Sequence, residues 1–235
     1  GFLFPAIYES GEYAWTNQNG EEIHAEKTTS FDIGYETYFD SLGINFNITY
    51  FDILVEDPIM GSNTTNFQDN VSGAENKSKG IELATNWTDN KKLNIGFNYS
   101  LTKSYSGIDC DKPEKDKWGY TSCLDSGHGW LESAMVRVPI HALSSKIRYQ
   151  FNKKLNSSLL LTYKGRTRDY GGTDYGFKDQ ILDEYFLVDL KSSYKIYDNY
   201  NLDFSIKNLF DKSYENSFLY SGNPRKMNIG LKIAY

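Results

Sequence analysis

At 235 residues the chain is long enough for one large domain or two small ones, and its 39% apolar and 24% charged content excludes a disordered chain. A net charge of -6 excludes a surface built to neutralise nucleic-acid phosphates, which requires clustered Lys and Arg. Nineteen Tyr and 14 Phe against 5 Pro favour strands over helices, and no run approaches the roughly 18 consecutive apolar residues of a membrane-spanning helix, which leaves open a crossing by strands.

Residues 1 to 27 carry turn formers and read as a strand end followed by a loop. The first alternation sets Phe31, Ile33 and Tyr35 against Asp32, Gly34 and Glu36. After a tight turn from Asp40 to Gly43, Ile44, Phe46, Ile48 and Tyr50 oppose Asn45, Asn47 and Thr49, because successive side chains on a strand face opposite sides. A polar segment from about Glu56 to Lys79 precedes Ile81, Leu83, Thr85 and Trp87, and a short turn leads to the cleanest strand, Leu93, Ile95, Phe97, Tyr99 and Leu101 against Asn94, Gly96, Asn98, Ser100 and Thr102. A long loop from Lys103 to about Arg137 follows.

Ile147, Tyr149 and Phe151 then face away from Ser144, Lys146, Arg148 and Gln150, and a turn at Asn152 leads to Leu159, Leu161 and Tyr163. A second long loop, about Gly165 to Asp183, comes before Phe186, Val188 and Leu190. A tight turn at Asp198 and Asn199 opens the last two runs: Leu202, Phe204 and Ile206, then Met227, Ile229, Leu231, Ile233 and Tyr235. Nine strands are predicted, with residues 1 to 8 able to supply a tenth.

The connections alternate short and long, as in an outer-membrane barrel with short periplasmic turns and longer extracellular loops. Strands running into the short turns end on aromatics: Tyr38 and Phe39, Trp87, Phe151, Tyr194 and Tyr197, and Tyr235. Amphipathic rings settle at headgroup level, so this is the pattern of an interfacial girdle. The fold class expected is all-β, an antiparallel transmembrane barrel segment of about nine to ten strands. Because single-chain bacterial barrels close with an even strand number, either a tenth strand lies near Gly1 or the chain is the end of a larger barrel. Gly1 in place of an initiating Met, with no signal peptide, makes a mature protein or a fragment the expectation.

The run Lys207-Asn208-Leu209-Phe210-Asp211-Lys212-Ser213-Tyr214, followed by Gly222, Asn223, Pro224 and Arg225 and a terminal strand ending in Tyr235, resembles the C-terminal signature of TonB-dependent outer-membrane receptors. Upstream, Ala25-Glu26-Lys27-Thr28 resembles a family segment with Ala25 where Pro is usual, and the step Gly80-Ile81-Glu82 is similar to a family strand start. On that family's plan the chain is the C-terminal portion of a barrel of about 22 strands, over residues 1–235, with the plug domain and TonB box absent. The resemblance implies active uptake of a scarce nutrient of ferric siderophore, haem or cobalamin type, bound at extracellular loops and energised through TonB acting on the plug. It implies outer-membrane lipid around the strands and barrel-assembly machinery reading the C-terminal strand, and without a plug this chain alone is not expected to perform coupled transport. Two other readings stay open: a complete ten-stranded barrel acting as pore or adhesion scaffold, and a soluble β-sandwich binding carbohydrate, whose apolar face would be buried against a second sheet.

Among site candidates, Cys110 and Cys123 stand thirteen positions apart in one polar loop, and in an oxidising compartment they are expected to form a disulfide worth about 3 kcal/mol. The alternative is two free thiols. Trp118, Tyr120, Trp130, Tyr170 and Tyr175 are loop aromatics suited to covering an apolar or aromatic ligand, or else to packing their own loops. His24, His128 and His141 lack metal-ligand spacing, and the acidic residues around Asp111 lack the order of a calcium loop, so no metal site, cofactor or catalytic residue is expected. Charged residues such as Asp189, Lys191, Asp203, Lys146 and Arg148 read as the lining of a wet lumen.

Overall fold

The protein is described here by a computed structural model covering residues 2–3, 25–61, 68–70, 74–89, 92–109, 130–171 and 178–233. All regular structure among these residues is strand. β1 (Phe2–Leu3), β2 (Glu26–Phe39) and β3 (Ile44–Glu56) are followed by the short β4 (Ile59–Gly61) and β5 (Gln68–Asn70). Next come β6 (Ala74–Thr88), β7 (Leu93–Asp109), β8 (Trp130–Ala134), β9 (His141–Gln150) and β10 (Leu155–Lys164). The chain finishes with β11 (Thr167–Gly171), β12 (Lys178–Leu182), β13 (Tyr185–Tyr197), β14 (Tyr200–Lys207), β15 (Glu215–Ser217), β16 (Tyr220–Ser221) and β17 (Lys226–Ile233).

An 11-stranded sheet runs β1-β2-β3-β6-β7-β9-β10-β13-β14-β17, with β8 paired to β7 beside this path. The pairs β4 with β5, β11 with β12 and β15 with β16 are separate two-stranded hairpins. Each of the predicted strands is present, and Phe2 and Leu3 take the further position opposite Lys27 and Glu26. Among the described residues β17 pairs with β14 alone and β1 with β2 alone, so this path is open at both ends.

The chain divides into two compact units, one of residues Gly1–Asp32, Phe51–Lys79 and Lys103–Met135, the other of Ile33–Tyr50, Gly80–Thr102 and Val136–Tyr235. In the first, β7 continues to Asp109 and β8 returns along it, Tyr105 opposite Ala134 and Asp109 opposite Trp130. Sequence alternation ends near Thr102, so this extension reads as loop in the sequence alone. The period-two signal exists only where one face meets apolar surroundings, whereas the backbone ladder continues with polar side chains on both faces. β11 and β12, inside the expected loop of residues 165–183, were hidden for the same reason.

In the second unit the register shows two chemically distinct faces. On one, Ile95, Ile147, Leu159, Leu190 and Ile206 lie in successive strands, and Leu202 sits opposite Leu231. On the other, Asn94 faces Arg148, Ser158 faces both Arg148 and Lys191, and Asp203 faces Ser193 and Gly230. The apolar face is not covered: Ile33 is 61% exposed and Ile229 75%, and the buried hydrophobic residues among those described are Leu182, Val188 and Ile206. A soluble sandwich buries its inner faces, so the carbohydrate-binding sandwich does not fit this chain. Hydroxyls on the apolar face are internally paired, Ser157 with Ser192 at 2.8 Å and Ser145 with the Gly96 carbonyl at 3.0 Å, as a lipid-facing surface requires.

The short turns follow from their own residues. Gly43 adopts φ 63°, where a side chain would be strained, and the Leu42 and Gly43 N–H groups donate back to Phe39 and Asp40. Asp89 Oδ1 accepts from the N–H groups of Lys92 and Leu93, and Asn152 Oδ1 from those of Lys154 and Leu155, each side chain replacing a backbone turn partner. The expected aromatic girdle is exposed at this end: Tyr38, Phe39, Phe151, Tyr194 and Tyr197 all face out. The Trp87 indole N–H donates to the Leu42 carbonyl at 2.9 Å, its polar end turned to the turn backbone. Tyr235 lies outside the described residues.

If the apolar face meets lipid, Ile229→Lys in the middle of β17 costs about 2–4 kcal/mol in bilayer unfolding, and Asn228→Lys on the polar face costs close to nothing. Reversible denaturant titration in vesicles measures both; equal costs would contradict this assignment of faces.

Candidate functional site

At the end of the second unit opposite the short turns, three connections converge on one buried carboxylate. Asp169 of β11 is fully buried, accepting from Arg137 Nε at 2.8 Å through Oδ1 and from the Phe218 N–H at 2.7 Å through Oδ2. The Arg137 N–H also donates to the Arg168 carbonyl at 2.7 Å. Arg137 precedes β9 and takes the left-handed φ of 64°, while Phe218 lies in the turn of the β15–β16 hairpin. A charge-assisted pair plus a backbone donor around a fully desolvated carboxylate is worth more than its surface equivalent, because losing any partner leaves a buried group unsatisfied.

The motif run forms the second support of this end. Asn208, 4% exposed with φ 49°, donates through Nδ2 to the Lys212 and Asn223 carbonyls at 2.9 and 3.1 Å and accepts the Lys212 N–H at 2.9 Å. Its own N–H reaches Asp189 Oδ1 at 2.8 Å, and the next N–H, of Leu209, donates to the Val188 carbonyl. Asn suits this position because it tolerates left-handed backbone and offers both donor and acceptor. Asp211, also left-handed at φ 54°, accepts the Arg225 N–H at 2.7 Å just beyond Pro224. The Tyr214 ring packs at a tilt against Tyr185, centroids 4.5 Å apart, and a Cβ at Gly222 would run into it. Phe210, 73% exposed, is the motif residue left facing out. Asn208, Asp211, Tyr214 and Gly222 thus brace a corner between β14 and β17.

Exposed charges near this corner are weaker. Arg166 Nε lies 2.6 Å from Glu184 and 3.6 Å from Asp183, and the Glu184 carboxyl sits below its ordinary range because of its own backbone N–H first and then the Arg166 guanidinium. That pair is complete at neutral pH and is lost as pH falls through the depressed value. Across the polar face of the sheet, Thr88, Asn94, Lys146, Arg148, Ser158 and Lys191 help line a cavity of about 720 Å³. A second, of about 530 Å³, includes Glu82, Asn98, Thr162, Lys164 and Tyr185. The first belongs to a polar wall, whereas the second also takes in Leu83, Tyr99, Leu143 and Tyr163.

The structure brings few of the expected ligand residues together. Trp118, Tyr120 and Tyr175, with Cys110 and Cys123, lie outside the described residues. Trp130 begins β8 and Tyr170 lies in β11 opposite Asp179, so both belong to extended hairpins rather than irregular loop. Asp169 and Arg137 were not legible: neither sits in a motif, and a buried acid looks like any loop acid until Arg137 and Phe218 converge on it.

Asp169→Ala is expected to cost about 1–3 kcal/mol and to accelerate amide exchange across residues 215–221, whereas Arg166→Gln changes stability by less than about 0.5 kcal/mol. Asn208→Ala should likewise cost about 1–3 kcal/mol, read as a lower unfolding midpoint, while Phe210→Ala leaves the midpoint nearly unchanged.

A sequence profile described as "TonB dependent receptor-like, beta-barrel" matches residues 1–209. The chain is 26% identical over 231 residues to the vitamin B12 transporter BtuB of Vibrio cholerae serotype O1, covering 97% of this chain and 33% of that protein. Among solved structures it is similar to the ferripyoverdine receptor of the Pseudomonas aeruginosa outer membrane, with a TM-score of 0.70 and 17% identity over 95% of this chain and 29% of that one. It is also similar to the ferric-catecholate import receptor Fiu of Escherichia coli K12, with a TM-score of 0.69 and 14% identity over 96% and 31%. These structural likenesses concern the fold. The chain spans about a third of the length of the relatives it matches.

Proposed function

The chain belongs to the TonB-dependent receptor family, and from that premise we propose that it is the C-terminal portion of a receptor barrel that takes up a scarce nutrient with energy supplied through TonB. Family members are outer-membrane transporters and receptors of Gram-negative bacteria, and the outer membrane is where this chain resides. No catalytic step is assigned to it. One observation carries the reading: an exposed apolar face and a polar one alternate along strands joined by tight turns at one end and long, hairpin-bearing connections at the other.

The parts then divide the work by physical chemistry. The apolar face holds the sheet in lipid, and the aromatic end fixes its depth. The opposite end presents β11–β12 and β15–β16 to the outside, with Asp169 and Asn208 holding their bases while their tips approach the ligand. Trp118, Tyr120, Trp130, Tyr170 and Tyr175 supply aromatic surface for a large ligand with apolar or conjugated parts, and the Cys110–Cys123 disulfide staples the segment carrying two of them. Ligands of this size are the ferric siderophores, haem and cobalamin, in keeping with the transport of vitamin B12 by one relative and of iron chelates by others. The plug would receive TonB, and the terminal strand would be read by the barrel-assembly machinery.

The test is uptake by cells carrying the whole receptor, with labelled cyanocobalamin, haem and a panel of ferric siderophores offered separately. One of them should accumulate in a TonB-dependent manner, and alanine at Tyr170 and Trp130 together should weaken its binding about tenfold or more. Diffusive uptake indifferent to TonB would identify a passive pore and overturn the proposal.

A further inference from the structure

The polar face of the second unit gathers cations without matching acids. On β9, Lys146 and Arg148 are two residues apart, so they project from one face about 7 Å from each other along the strand. Ser158 of β10 stands opposite both Arg148 and Lys191, which puts Lys191 two strand spacings, about 10 Å, from Arg148 on that face. Lys92 joins them just before β7, its carbonyl accepting the Gln150 N–H at 2.8 Å. All of these cations line the cavity of about 720 Å³, and no carboxylate lines it with them. The acids nearest in register have partners of their own. Asp203, within the field of Lys191, pairs with Lys232 at 3.1 Å; Asp189 accepts the Asn208 N–H at 2.8 Å; and Asp89 accepts the N–H groups of Lys92 and Leu93 inside the turn. Among the described residues Lys92, Lys146, Arg148 and Lys191 form no ion pair.

Charges of one sign along a cleft concentrate counter-ions there and speed their arrival by about ten- to a thousandfold. The rest of the lining is mostly amide and hydroxyl, Asn94, Ser158 and Ser193 among it, with Leu93 as its apolar member. A protein partner seats on an apolar, aromatic centre with charge at the rim, whereas this wall carries charge and hydroxyls at its centre and encloses the volume of a small-molecule site. Basic groups spaced along a path suit the passage of an anion, attracting it enough to enter and holding it weakly enough to leave. We propose that Lys92, Lys146, Arg148 and Lys191 form an anion station on the lumen wall, through which the cargo passes as an anionic iron complex presenting phenolate or carboxylate oxygens, and not as an uncharged chelate or cobalamin. The station lies in the half of the wall next to the short turns, so it acts after the outer hairpins have released the cargo. Those hairpins recognise the individual molecule; the wall sets the sign of charge it must carry. The inference rests on the transport reading above.

The test uses cells carrying the full-length receptor, with labelled compounds of different charge offered separately: a ferric tris-catecholate, ferric citrate and haem as anions, and a ferric tris-hydroxamate and cyanocobalamin as uncharged compounds. TonB-dependent uptake is expected for an anionic compound. In the Lys146→Gln/Arg148→Gln/Lys191→Gln variant its maximal rate should fall about tenfold or more, while the half-saturating concentration set at the outer hairpins stays the same. The Lys146→Arg/Arg148→Lys/Lys191→Arg variant, which keeps every charge, should retain the rate. Arg148→Gln alone should show the same split at smaller amplitude, and it serves if the triple variant inserts poorly. Uptake confined to the uncharged compounds would overturn the anion station and leave the transport reading standing. So would Gln variants that match the unaltered receptor, or a defect that the charge-keeping variant shares. Failure of every compound to enter in a TonB-dependent manner would instead strike the transport reading, and the station with it.

Discussion

Backbone satisfaction in a medium without water is the constraint on which the rest depends. Inside a bilayer an unpaired N–H or C=O costs several kcal/mol, so the chain must pair its backbone from strand to strand with no irregular stretch at that depth. The long antiparallel ladders from β2 to β17 meet that demand. They also explain how a chain with so few buried hydrophobic residues among those described can be ordered: hydrogen bonds and lipid contact replace the internal core of a water-soluble domain. Ser157 and Ser192 obey the same rule one level up, since hydroxyls on the lipid side bond each other and leave no polar group open to hydrocarbon.

Among the described residues of the second unit, irregular backbone lies at the strand ends, and each end handles it differently. At the short-turn end Asp89, Asn152 and Gly43 close the chain within a few residues, and the rings beside them hold that edge at the interface. At the other end the strands outrun the apolar band. There a single carboxylate, Asp169, ties the start of β9, the β11–β12 hairpin and the β15–β16 turn, and Asn208 folds the next connection back on itself. Rigid bases under long connections are what a binding surface needs if it is to vary at its tips without losing register.

What was legible in the sequence tracks this division. Period-two alternation exists only where the two faces meet different media, so Ile95, Phe97 and Tyr99 announced their strand plainly. By contrast, Lys103 to Asp109 gave no such signal although the ladder runs through them. The Asn208 run was recognisable as a resemblance, but its physical role, two carbonyls and one N–H gathered by one side chain, exists only in the folded chain. Asp169 had no sequence signal: burial of an acid depends on residues far away in the chain, Arg137 and Phe218, whose approach no local pattern encodes.

The corner at Asn208 has a consequence for how such chains are sorted. Its bonds tie the end of β14 to Asp189 of β13 and to the connection that follows, all within the protein itself, so the residues that make the family easiest to spot describe architecture. Two receptors could share that corner atom for atom and import unrelated molecules. Discrimination between cargoes has to be sought where recognisability is lowest, in the outer hairpins that no short motif describes.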